Sequence, residues 1–407
     1  MPKNRLLIVS FIFPPQLLAR SLQLLKTTNA LVRAGWDVTV YTADPGRLKD
    51  PLDPALADRL DKKVRVVPGY TFENWFFSNL TASLSLGMPD DKYLWRIAGK
   101  KALKKLLEKE SFDCMASFGL QWSSHLLAKE VKKLSGLPWL AHFSDPWVDN
   151  PYHRRLWPVS AVNRAQERSV AEQADKLCFT TEASQKLVLG KYSPEIQKKG
   201  MFVPHCFAPE LYPEAEPPKD KLSLVHVGSF YGKHNPLNFF AALKDFLAKR
   251  PEARKDLAVH FVGLDPRKYR REARELGLED VLDFVPKVPY LESLAWMKRA
   301  TMLFSIDVVK NSLLSKLPDY VGSGRPIFAV SDEGSPTWKY VESLRGLTAR
   351  QDKIEEIADK LEIIFDEWKN DTALDKYRSS KEEGAFFHAD NTTAILSAAL
   401  KELAEKA

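Results

Sequence analysis

Short apolar runs alternate with longer amphipathic ones along this chain of 407 residues. In the first half, Leu6–Phe13 reads as a buried strand, Leu22–Ala34 as a helix stopped by Gly35, and Asp37–Thr42 as the next strand, which makes a β-α-β unit. Further strands are predicted at Val64–Val67, Cys114–Ser117, Trp139–His142, Lys176–Thr180 and Met201–Val203. Helical patterns fall at Leu94–Leu107, Ser123–Leu134, Ala161–Gln173 and Ser184–Leu189. The stretch from Ala208 to Asp220 then sets four prolines among charges, which opposes both helix and central strand, so a linker is placed at 208–221. The alternation restarts with strand Leu222–Val227, helix Pro236–Lys249, strand Ala258–Val262, helix Arg267–Leu276, strand Val281–Phe284, helix Tyr290–Ala300 and strand Met302–Ile306. A short helix in the stretch from Ser315 and strand Ile327–Val330 follow. Strands alternating with helices imply parallel sheets covered on both faces, so the chain reads as α/β with two doubly wound, Rossmann-like domains. The domains are placed at 1–207 and 222–385, with a C-terminal helix over 386–407 that packs back on the first.

Length supports two domains, each large enough to bury a core. Hydrophobic residues make up 44% of the chain and charged residues 28%, which excludes a disordered or fibrous protein. A formal net charge of +7 favours anionic partners without choosing among phosphorylated ligands, acidic lipid and nucleic acid. Three cysteines without C-x-x-C spacing indicate neither a disulfide framework nor a zinc site, and fit a reducing, cytoplasmic setting. The first apolar run ends at Pro14-Pro15 and reads as a strand rather than a signal peptide, and no run approaches the roughly 20 apolar residues of a membrane-spanning helix. A soluble or peripheral protein is expected.

The stretch SKLPDYVGSGRPIFAV, Ser315 to Val330, carries the first candidate chemistry. Ser315 reads as an N-cap, Pro318 is tolerable in a first turn, and Gly322, Gly324 and Pro326 close the helix. Free amides near Ser315 to Leu317, with the Lys316 ammonium, would hold an anion such as a diphosphate, and Asp319 one turn on would accept hydrogen bonds from a ribose. The bland alternative is a solvated Lys316–Asp319 pair. A second glycine turn follows the first strand of the second half: Gly228, Ser229, Gly232 and Lys233 would let backbone and charge approach a phosphate, or would simply form a tight turn. The spacing fits neither a dinucleotide fingerprint nor a P-loop.

The order of these parts resembles the nucleotide-sugar-dependent glycosyltransferases of the GT-B fold, most closely the retaining family 4 group. The likeness rests on Ile8 to Pro15 with Leu31 to Thr42, on Cys178 to Glu182 with Phe202 to Tyr212, on His226 to Ser229, and on Ser315 to Val330. It implies two domains facing each other across a cleft, a donor nucleotide held by the second and an acceptor by the first. It further implies that Ser229, Lys233 and Lys316 contact diphosphate, and that Asp319 stands where the family has the second glutamate of its E-x7-E motif. Asn311 replaces the first glutamate, which keeps hydrogen bonding to the sugar but removes the negative charge. Gln16-Leu-Leu-Ala-Arg-Ser replaces a glycine-bearing loop after Pro-Pro, and Leu17 and Leu18 would fill space beside the donor phosphate. No cofactor or metal is implied, because two basic groups and backbone amides can stabilise the leaving charge.

On the acceptor side, Pro15, Gln16, His142, Asp145 and Trp147 are the candidates. Asp145 would orient an acceptor hydroxyl from the carboxyl edge of the sheet and Trp147 would stack on sugar; the alternative is a loop-capping aspartate and a core tryptophan. His125 and His226 read as structural. Lys92 to Glu110 carries seven basic and two acidic residues, with Leu94, Ile97, Leu103, Leu106 and Leu107 at helical spacing, and follows Phe72, Trp75, Phe76 and Phe77. It would dock on the anionic inner face of a membrane beside a lipid-linked acceptor, or be an ordinary surface helix. No nucleic-acid module is present. The expected function is transfer of a sugar from a nucleotide donor to a glycan or lipid-linked acceptor in cell-surface polysaccharide synthesis. The alternatives are a nucleotide-sugar epimerase or a non-catalytic binding protein of the same fold.

Overall fold

The computed structural model describes residues 4–71, 89–150, 157–230, 235–307 and 313–406. Lys233, Asn311 and the aromatic set Phe72, Trp75, Phe76 and Phe77 lie outside them. The chain divides into two compact units: unit 1 is Met1–Cys206 with Ala389–Ala407, and unit 2 is Phe207–His388. Residues 208–221, read from the sequence as a linker, belong to unit 2, where Leu211 is buried and Tyr212 donates to the Asp319 carbonyl at 2.7 Å.

Unit 1 is a seven-stranded, all-parallel sheet of β1 (Arg5–Val9), β2 (Asp37–Ala43), β3 (Arg65–Gly69), β4 (Cys114–Phe118), β5 (Trp139–Phe143), β6 (Lys176–Phe179) and β7 (Gly200–Phe202). Its order is β3-β2-β1-β4-β5-β6-β7. Its longer helices before the chain enters unit 2 are α1 (Ala19–Arg33), α2 (Tyr93–Leu107), α3 (Ser123–Ser135), α4 (Val159–Gln173) and α5 (Glu182–Leu189). Because alternate strand residues point to opposite faces, the unbroken apolar run of β1 serves two cores. Leu7 and Val9 join the core with Trp95 and Leu103 of α2, while Leu6 and Ile8 pack with Leu24 and Leu31 of α1. The buried stripe of α2 is Trp95, Gly99 and Leu103, spaced four apart, whereas Ile97 of the expected stripe is exposed.

Unit 2 is a six-stranded parallel sheet of β8 (Leu222–Val227), β9 (Leu257–Val262), β10 (Leu282–Val285), β11 (Met302–Asp307), β12 (Ile327–Ser331) and β13 (Leu347–Arg350), in the order β10-β9-β8-β11-β12-β13. Its helices are α6 (Leu237–Lys249), α7 (Pro266–Glu275), α8 (Tyr290–Arg299), α9 (Leu317–Ser323), α10 (Pro336–Ser343) and α11 (Ile354–Asn370); α10, β13 and α11 go beyond the sequence reading. The final helix α12 (Ala389–Glu405) returns to unit 1, where Leu396, Leu400 and Leu403 pack with Leu24, Leu31 and Trp36. Trp36 donates from Nε1 to Ser397 Oγ at 2.8 Å, and Arg33 pairs with Asp390.

In both sheets the strand order reverses beside the first strand of the unit, between β1 and β4 and between β8 and β11, which is where doubly wound sheets hold ligands. At the second switch point β8 pairs with β9 over its whole length but with β11 only at Leu224 and Val225. Tyr320 of α9 fills the parting: its hydroxyl accepts from Val227 N at 2.9 Å and donates to the Phe304 carbonyl at 3.2 Å. Tyr320→Phe should leave the buried Val227 amide unsatisfied and lower unfolding free energy by about 1–3 kcal/mol in urea titration; an unchanged midpoint would refute this role.

Candidate functional site

The chain turns through Gly228 at φ +130 at the carboxyl end of β8 and through Gly263 at φ +96 at the carboxyl end of β9, conformations costly for any residue with a Cβ. Gly228 N donates to the Val262 carbonyl at 2.7 Å, and Ser229 Oγ donates to the Gly263 carbonyl at 2.8 Å, so the turn is tied to β9. The side chain of Lys316 lies over Gly228. A Cβ built on Gly228 would stand 1.5 Å from Nζ and 2.2 Å from Cε of Lys316. The missing side chain at 228 is therefore the space the lysine occupies.

Burial holds the Lys316 ammonium down from 10.5 to about 8, against the opposing pull of Asp307 at the end of β11. Asp307 is itself buried and accepts from Thr337 Oγ1 at 2.8 Å, and the same hydroxyl accepts from Leu314 N at 3.2 Å. A partly desolvated ammonium beside a glycine turn, at a topological switch point, is chemically suited to a phosphorylated ligand.

Two details differ from expectation. Ser315 is exposed and outside the helix: α9 begins at Leu317, Lys316 is the capping residue, and the Lys316 carbonyl accepts from Tyr320 N at 3.0 Å. Pro318 in the first turn also removes one amide, so the positive end of this site is the lysine side chain and not a row of free N–H groups. Asp319 is buried, and its Oδ1 accepts from Tyr290 OH at 3.1 Å; the carboxylate acting on Lys316 is Asp307 instead.

In unit 1 the acceptor-side candidates differ in exposure and in partners. Pro15 follows a cis peptide bond from Pro14 and is half-buried. Gln16 is buried, bridges to Leu52, and reaches the Phe11 carbonyl from Nε2 at 3.4 Å. Leu18 packs against the core under the sheet. Trp147 is a core residue rather than an exposed platform: it stacks on Trp122 at 5.0 Å and donates to Asn163 Oδ1 at 2.7 Å, because the loop after β5 folds inward there. Asp145 is exposed just past β5, with Ser144 Oγ donating to its Oδ2 at 3.0 Å. His142 is buried, stacks on Phe118 at 4.7 Å and has its pKa pushed well down, first by burial and then by Arg20. His125 is likewise buried and lowered to about 3, with Ser117 Oγ at 2.7 Å, and His226 stacks on Phe230 in the core of unit 2. Sequence reasoning missed Asp307, Tyr320, Gly263 and Arg20. Only the isolated charge of Arg20 inside the apolar LLARSLQLL stretch signalled any of them. Among the described residues no group of His, Cys, Asp and Glu is arranged to hold a metal, and no helix is long and apolar enough to cross a membrane.

Residues 22–197 match the family model described as glycosyl transferase 4-like domain. No curated protein matches. Among solved structures, sucrose-phosphate synthase from Thermosynechococcus elongatus is 15% identical, with both chains covered fully and a TM-score of 0.66. Anabaena HepE in complex with UDP is also 15% identical, over 98% of this chain and all of that one, at 0.64. A Listeria monocytogenes protein named for UDP-N-acetylglucosamine 2-epimerase activity is 10% identical over 100% and 98%, at 0.62. At such identities the likeness is one of fold, and the fold is GT-B: two doubly wound, Rossmann-like units.

Because the folded pKa of Lys316 lies below its unfolded value, the unfolded chain holds more protons between about pH 8 and pH 10.5, and this group makes stability rise with pH across that window. Lys316→Met should accordingly unfold at a higher temperature than the parent at pH 7 and lose that rise in a pH series of thermal melts.

Proposed function

We propose that this chain, a glycosyltransferase-like protein of GT-B fold, transfers a hexosyl group from a nucleoside diphosphate sugar to a glycan or lipid-linked acceptor, with retention, in cell-surface polysaccharide assembly. The observation that carries the reading is the Lys316 ammonium lying over Gly228 at the β8–β11 switch point. A diphosphate there would meet a cation and a glycine turn, and its growing negative charge on departure of the sugar would be stabilised without proton transfer. The match of unit 1 to a glycosyltransferase domain and the UDP complex of a neighbour of like fold support the donor class.

In this reading Lys316, Ser229 and Lys233 hold the diphosphate, Asp319 acts toward the ribose, Asn311 contacts sugar hydroxyls, and Asp145 orients the acceptor hydroxyl. Exposed Lys100, Lys101, Lys104 and Lys105 on α2 would suit work at the inner face of an anionic membrane.

Thermal melts with UDP, GDP and ADP test the donor site, since a ligand binding only the folded state raises the unfolding temperature. One of the three should do so; no shift with any of them refutes the donor site. Product analysis with the matching nucleotide-sugar should show transfer rather than interconversion of the sugar, which would point to an epimerase. Lys316→Ala should lower transfer about 10²–10³-fold, the size of losing one preorganised charge-stabilising group; full turnover would refute the assignment. Nucleotide affinity should also fall as pH rises through about 8, where the lysine discharges, and Lys316→Arg should flatten that profile.

A further inference from the structure

Arg20, near the start of α1, is 4% exposed and sits in the interior of unit 1. Its guanidinium lies 5.7 Å from the Phe118 ring centroid. Nη1 donates to Gln23 Oε1 and, at 3.2 Å, contacts His142 Nδ1. An arginine can only donate, so His142 Nδ1 is the acceptor in this contact. Nη1 is thereby used. Nε and Nη2, buried as well, have no hydrogen-bond partner among the described residues.

Those two nitrogens share one edge of the planar group, the edge whose parallel N–H bonds fit the two oxygens of a carboxylate or phosphate. A buried guanidinium is ordinarily paired with an acid, and an unpaired one carries a heavy desolvation cost. Here the charged surroundings add to that cost. Buried Lys26 belongs to the same cluster: with Arg20 it acts on His205, whose pKa burial and these two cations lower to about 3. Burial lowers Arg20 itself to about 10; the acid opposing this most is Asp145, which is exposed. The buried, unpartnered Nε and Nη2 donors of Arg20 thus share their surroundings with a second cation and two neutral histidines.

We propose that unit 1 carries an anion subsite in which the Nε and Nη2 edge of Arg20 takes a carboxylate or phosphate group of the acceptor in a two-point contact. The site lies one turn beyond Gln16 to Leu18, the stretch that departs from the glycine-bearing loop of the resembling family. Calling the anion an acceptor group rests on the transferase reading; the anion site itself does not.

The test is thermal unfolding of the full chain with inorganic phosphate, glucuronate and, as a neutral control, glucose, each with and without UDP. Phosphate or glucuronate should raise the unfolding temperature with dose while glucose does not, and the more effective one tells a phosphorylated acceptor from a uronic acid. Arg20→Met should unfold no lower than the parent, having lost an unpaired buried charge, and should need about tenfold more anion for the same shift. Arg20→Lys, which keeps the charge and loses the fork, should be weakened too. The proposal is overturned if neither anion acts, if glucose acts as well as the anions, or if both variants respond like the parent. It is also overturned if Arg20→Met melts far lower while Arg20→Lys keeps the full anion response, which would make Arg20 structural. A UDP response that vanishes in Arg20→Met without any anion response would assign Arg20 to the donor and overturn it too. Absence of a UDP shift beside an Arg20-dependent anion shift counts against the donor reading and supports this one.

Discussion

A lysine side chain can cross the end of β8 only because residue 228 has no side chain, and the chemistry of unit 2 follows from that one accommodation. The glycine's positive φ bends the chain off the strand, the bend opens a bed, and the ammonium lies in it partly stripped of water. Tyr320, four residues after Lys316, anchors the short helix by bridging the parted strands. The lysine is thus fixed from behind by a backbone-bound phenol and steered in front by Asp307. Neither contact involves the helix amides as a group, which is why seven residues of helix suffice.

Unit 1 treats positive charge differently. Lys316 has a carboxylate on its own sheet to offset its burial, but Arg20 is held chiefly by neutral groups, a glutamine and a histidine. A protein interior seldom keeps such an arrangement for stability alone, since an apolar residue of similar volume would cost less. The two units repeat one architecture yet place their cations by opposite means, a contrast that similarity of fold does not anticipate.

Much of the fold was legible because both sheets are parallel and buried on both faces. Leu222–Val227, read as a strand from its unbroken apolar run, is β8 to the residue. Periodicity failed where side chains, not pattern, decide. Ser315 is a favourable capping residue, but a turn ahead of Pro318 moves the helix start to Leu317. Trp147 follows a strand at the ligand-binding edge, yet its indole finds Asn163, sixteen residues on, and turns inward. Lys316 could be read because charge, proline and glycines cluster in sequence. Asp307, Tyr320 and Gly263 could not be tied to it, since what joins them is packing between the ends of β8, β9 and β11 and the short helix, which no local pattern shows.

The return of the last helix to unit 1 has a consequence for biosynthesis. Leu24, Leu31 and Trp36 are made before unit 2, but part of their cover, Leu396, Leu400 and Leu403, leaves the ribosome after it. Unit 2, residues 207–388, is contiguous and is translated whole in the interval. The half that is synthesised first is thus the half completed last, with an apolar groove on the nascent chain waiting for its closing segment.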